Sequence, residues 1–259
     1  VEHRGFSVRQ ARLYLQRRGI RLAEEPSAVR ELESPLFIKI CCDSLNLDGQ
    51  DALKSSLGGV SAIFGLYTRA VVKRVTLKIR SNPALRRVEK AIAALVDEMA
   101  DVGNELIDAD RAYCLVSPPG GAPMDVDHDV LFQLQSEGLL ATQPLDGHEY
   151  YRFTFQRVGD YQIAERLLSR SVKGGDVEAA FSASTPLRAA LFDESSMIAQ
   201  GVLEALAVQL PERFGVELLD ISELGGVWGR EPAFRASILA RDMEAIRERT
   251  WELIEEVGG

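Results

Sequence analysis

The side chains in this sequence that could do chemistry by themselves are few: three histidines, three cysteines and some paired acids. His3, His128 and His148 are far apart in the chain and form no metal-ligand spacing, and His148 reads as a solvated turn residue. Cys41 and Cys42 are adjacent and Cys114 stands alone, so they make neither a C-x-x-C site nor a disulfide framework and read as small buried apolar thiols in a reducing cytosol. Asp108/Asp110 and Glu255/Glu256 fall on polar faces of predicted helices, and no serine lies in a G-x-S-x-G turn. The phosphate-cradling pattern G-x-x-x-x-G-K-[ST] is also missing, since Gly58-Gly59 is followed by Val60-Ser61-Ala62 and not by a lysine and a hydroxyl. The sequence offers no catalytic constellation.

The elements are well marked. Ser7 with Gln10 forms a capping box for a helix carrying Ala11, Leu13, Tyr14 and Leu15, and Gly19 ends it. Ser34 is an N-cap with Pro35 at the first helical position, where its missing N–H costs nothing. The run Leu36, Phe37, Ile38, Ile40, Cys41 and Leu45 makes that helix apolar on most sides, hence buried. Val60 to Arg80 predicts a long helix with Ile63, Phe64, Tyr67, Val71, Val75 and Ile79 on one stripe and Arg69, Lys73, Arg74 and Lys78 elsewhere. Asn82-Pro83 then caps a helix striped by Val88, Ile92, Leu95, Val96 and Met99, and Asn104 to Val116 predicts a further one.

After the Pro/Gly-rich loop Ser117 to Pro123 the pattern changes. Asp127 caps a helix running to Gly138, and Leu139 to Thr142 and Glu149 to Phe155 flank a turn containing Asp146-Gly147. A helix followed by a β-hairpin is the recognition helix and wing of a winged-helix domain; Tyr151, Phe153 and Phe155 share one face of the second strand. A helix from about Gln156 to Ser171 follows directly. Beyond Lys173-Gly174-Gly175 the chain predicts short helices: one from Thr185-Pro186, one from Ser196 to Leu210 ending at Pro211, and a last from Phe234 to Val257 after Glu231-Pro232. These resemble α-solenoid packing without a clean internal repeat.

With 46% hydrophobic and 27% charged residues, the 259-residue chain reads as soluble and globular, and its length favours two or three small units. The longest uncharged run, Ser55 to Thr68, is too short to span a bilayer, and the N-terminus has no signal-peptide pattern. Val1 in place of methionine is consistent with a piece of something longer. Net charge is −9 and unevenly spread: Lys and Arg are in excess over residues 1–80, Asp and Glu over residues 81–259. A basic leading section suits nucleotide phosphates, an acidic neighbouring domain, or merely solvent. The winged helix fails the charge test for DNA, because Asp125, Asp127, Asp129 and Glu137 mark its recognition segment and no Lys or Arg does.

Two segments in order, Glu33 to Ile40 and Tyr151 to Ala164, resemble the small helical domain and winged-helix domain of STAND-type NTPases, especially the NACHT branch and its bacterial antiphage-defence members. A third stretch, Ala205 to Arg213, is similar to the same group. The resemblance implies that Pro35 matches the proline of the helical-domain G-x-P pattern, which packs near adenine, with Glu33 in the glycine position and Ser34 between. It also implies a histidine that reaches the β-phosphate, and Phe155 stands at that position here. Phenylalanine has no donor for phosphate, so attention moves to Gln156 and Arg157. A guanidinium beside a helix N-terminus suits an anion; it could equally pair with Asp160 at i+3.

The expected architecture is therefore mainly α: a helical lid over residues 1–81, a winged-helix domain over 82–173, and an α-solenoid-like helical superstructure over 174–259. The resemblance implies the regulatory part of a cytoplasmic, nucleotide-controlled switch in antiviral defence. ATP or ADP would bind through an upstream P-loop domain that this chain does not contain, with Pro35, Gln156 and Arg157 as nucleotide contacts. Partners would be that domain, downstream sensor repeats and, when active, further copies of the protein; membrane and nucleic acid are not expected. The chain alone would not hydrolyse ATP, whereas the whole protein would be an ATPase. Two alternatives are a winged-helix DNA-binding regulator and a non-enzymatic helical scaffold.

Overall fold

The computed structural model describes residues 6–22, 35–47, 52–53, 60–117, 126–193, 195–221, 251–252 and 255. These are mainly helical with a small three-stranded antiparallel sheet. The chain forms two compact units, one of Val1–Ala70, Ala207–Asp220 and Val227–Gly259, the other of Val71–Leu206 and Ile221–Gly226.

In the first unit, α1 (Val8–Arg17) starts where the sequence places it. Ser7 accepts from the Gln10 backbone N–H while the Gln10 side chain accepts from the Ser7 N–H at 2.8 Å, a complete capping box. Two short strands, β1 (Arg21–Leu22) and β2 (Ala52–Leu53), pair in parallel. Pro35 is exposed at the first position of α2 (Pro35–Leu47); the predicted Ser34 cap lies outside the described residues. Helix α2 buries Phe37, Ile38, Ile40, Cys41, Cys42 and Leu45, and Phe37 meets Phe64 of α3 (Val60–Lys78) edge-on with ring centroids 5.7 Å apart. Each such side chain contributes about 1.5–3 kcal/mol by leaving water. Burial pushes the Cys42 thiol up to about 11, against the pull of Arg18. Cys114 departs from the sequence reading, being exposed.

The second unit begins with the end of α3. Asn82 caps only a 3-10 turn, Pro83–Leu85, and not the long helix expected; Arg86 then turns through the left-handed region (φ 49°) into α4 (Arg87–Val102). The helix predicted over Asn104 to Val116 divides. Asn104 accepts from the Leu106 N–H, Ile107–Asp108 forms β3, and Asp108 caps α5 (Ala109–Val116) by accepting from the Asp110 and Arg111 N–H groups. The capping residue of α6 (Val130–Ser136) is Asp129 and not Asp127, which sits in a 3-10 turn, Val126–His128. Strands β4 (Leu140–Leu145) and β5 (His148–Phe153) close through Asp146 and Gly147, both with positive φ, as a two-residue turn demands. Strand β3 joins β5, so the sheet order is β3-β5-β4.

Strand β5 ends at Phe153, two residues short of Phe155, because Phe155 becomes the N-cap of α7 (Gln156–Ser171). Helix α4 packs on α5, α7 and α8 (Pro186–Phe192), the last capped by Thr185 as its sequence predicts. Asp97 and Asp101 of α4 bind Arg166 and Arg170 of α7 at 2.7 and 2.8 Å. Helix α9 (Ala199–Phe214) passes the expected stop at Pro211 and ends before Gly215, whose φ of 72° favours a glycine. Most of the predicted helix from Phe234 to Val257 lies outside the described residues.

Candidate functional site

Of the three residues singled out by sequence, Gln156 and Arg157 lie together on the first turn of α7 in the second unit, the former exposed and the latter half-buried. Pro35 belongs to the first unit. The junction is fixed by close packing. Phe153 is buried at the end of β5, and a Cβ on Gly159 would stand 2.9 Å from its ring, so only glycine lets α7 rise directly off the hairpin. Phe155 supplies no side-chain oxygen, leaving the α7 N-terminus without a side-chain cap, and Arg157 adds a fixed positive charge to that turn.

One turn on, Asp160 is 8% exposed on the buried face of α7, with Val158, Tyr161 and Ala164 as buried neighbours. Burial first, then Glu105 and Glu204, push its carboxyl up to about 7, while Arg157 pulls the other way. Arg157 and Asp160, spaced i and i+3, thus interact electrostatically, as the spacing allowed.

A second locus lies on α6. Glu137, directly after the helix, is contacted by Arg74 Nε and by Lys78 Nζ (2.6 Å) from α3. Its carboxyl is depressed below the usual value: burial raises it, but the hydrogen bonds and charges of Lys78 and Arg74 prevail. Beside this clamp an open cleft of about 580 Å³ is lined by Lys78, Arg80, Asp127, His128, Phe132, Gln133 and Ser136. No sequence rule indicated the clamp, because Arg74 and Glu137 are 63 residues apart and only the tertiary fold unites them.

Among the described residues no group of three or more His, Cys, Asp or Glu is placed to hold a metal ion, and no helix is long and apolar enough to cross a membrane. Neither the protein-family models nor the curated proteins contain a match to this chain.

Proposed function

We propose that this chain is the regulatory portion of a STAND-type, NACHT-like NTPase: helical lid, winged helix and the start of a helical sensor region. The observation that carries this reading is the order of the second unit, α4–β3–α5–α6–β4–β5 with strands ordered β3-β5-β4, followed at once by α7 with Arg157 in its uncapped first turn. We read that order as a winged helix, and the residues after the hairpin carry the motif resemblance. In this reading α6 is the recognition helix, and it is turned to protein packing: α3 contributes two cations to Glu137 at its end, and Asp127 and Asp129 precede it. Protein restraint accounts for such a surface better than DNA does.

In this reading ADP, held by a P-loop domain outside these residues, keeps the protein closed. Pro35 offers an apolar contact towards adenine, and Arg157, with Gln156 beside it, offers donors to phosphate. Ligand sensing and exchange for ATP shift the population to an assembling form in antiviral defence. The test is ADP affinity of the full-length gene product. A charged hydrogen bond contributes about 1.5–3 kcal/mol, so Arg157→Ala should weaken ADP by roughly tenfold or more. Unchanged affinity removes the phosphate contact and leaves a helical scaffold as the better account.

A further inference from the structure

Asp160 carries a consequence independent of any nucleotide. The segment entering α9 is pinned to the turn after α4 and to α8: the Met197 N–H donates to the Gly103 carbonyl at 2.8 Å, and Ser196 Oγ donates to the Ala190 carbonyl of α8 at 2.7 Å. One turn further, α9 meets α7 at Gly201, where a Cβ would lie 2.5 Å from the Asp160 Cγ and from both of its carboxylate oxygens. The carboxyl group therefore rests face-on against the α9 backbone. Among the described residues no hydrogen bond reaches it.

The charges bearing on it come from three elements: Glu105 in the turn before β3, Glu204 on α9 itself and Arg157 on α7. Two carboxylates against one guanidinium disfavour a third negative charge in a desolvated position. The first turn of α9 offers partly positive N–H groups, which moderates the effect without supplying a bond.

We propose that a proton holds α9 on α7: Asp160 seats against Gly201 as a neutral acid, and its ionisation loosens the opening turns of α9. The linkage has a definite sign. A carboxyl whose folded pKa is raised from 3.8 to about 7 binds more protons in the seated state, so seating weakens as pH rises between those values and levels off above. Near neutrality the contact is half-protonated and responds to small changes in pH, binding of a cation or withdrawal of Glu105 or Glu204.

Amide hydrogen exchange over residues 199–206, corrected for intrinsic rates, measures the opening directly. In the wild-type chain the opening constant should rise by up to tenfold per pH unit from pH 5 to 7 and flatten by pH 8. Asp160→Asn keeps the shape without the charge, so its protection should stay at the low-pH level throughout. Opening that is independent of pH in the wild type overturns the proposal, as does an equal slope in Asp160→Asn. Should that variant not fold, the carbon-13 titration of the Asp160 carboxyl in the wild type decides: a midpoint near 7 upholds the proton seat, and one near 3.8 sinks it. None of these outcomes depends on nucleotide binding.

Discussion

Removing Glu137 tests how α3 and α6 are held together. Its side chain is 11% exposed, and it receives Arg74, itself 25% exposed, and Lys78, 44% exposed. The Lys78 arm is the more exposed of the two and contributes at most about 1 kcal/mol. The Arg74 arm is the more sheltered, and a hydrogen bond to a charged partner there contributes about 1.5–3 kcal/mol. Glu137→Ala should therefore cost roughly 2–3 kcal/mol, part of it from leaving Arg74 without its carboxylate. Urea unfolding at pH 7 reads this as a lower midpoint at unchanged slope. Lys78→Met, by the same reasoning, should cost under about 1 kcal/mol. The folded pKa of Glu137 is depressed, so its contribution is complete above the usual 4.5 and is lost as pH falls through the lower folded value. Equal stability of wild type and Glu137→Ala at pH 7, or a difference that persists undiminished at pH 3, would refute the clamp.

Two further outcomes are expected. Gly159→Ala, which in an exposed helix would stabilise by up to about 1 kcal/mol, should here destabilise by about 1–3 kcal/mol because the new methyl meets the Phe153 ring at 2.9 Å; a rise in thermal midpoint would contradict the packing of β5 against α7. In a mobility-shift assay at about 50 mM salt, duplex DNA should form no complex with up to roughly 10 µM protein. A shift that weakens steeply with added salt would restore the DNA-binding reading.

What the sequence revealed depended on distance along the chain. Local signals held: the Ser7–Gln10 box, Thr185-Pro186, the Asp146-Gly147 turn and the bounds of α7 are decided within four residues of themselves. Errors arose where two local signals compete. Asp127 and Asp129 both qualify as caps, and only Asp129 has N–H groups within reach, those of Leu131 and Phe132. Ile107 and Asp108 continue a helical stripe on paper, yet pairing with Tyr151 and Tyr150 draws them into the sheet, a long-range bond no local window contains. Pro211 reads as a stop but lies in the last turn of α9, where little helix remains to be disrupted. The contacts that matter most to the candidate site, Glu137 with Arg74 and Asp160 with Gly201, join distant segments and leave no spacing to read.

Those two acids respond to pH in opposite senses, which makes them separable. Glu137 is held ionised by two cations, so acidification does nothing to it until pH falls below about 4.5. Asp160 is held towards neutrality by burial, Glu105 and Glu204, so acidification from about 7 strengthens its seat well before Glu137 is touched. The interval between 3.8 and about 7 is about three pKa units, at 1.36 kcal/mol each an upper bound of about 4 kcal/mol, reduced in practice by water entering when α9 loosens. Between pH 5 and 7, then, Glu137→Ala should lower the unfolding free energy by a constant amount, whereas Asp160→Asn should remove a slope. A constant offset in both variants would mean that Asp160 is an ordinary buried polar group, and that the proton seat between α7 and α9 does not exist.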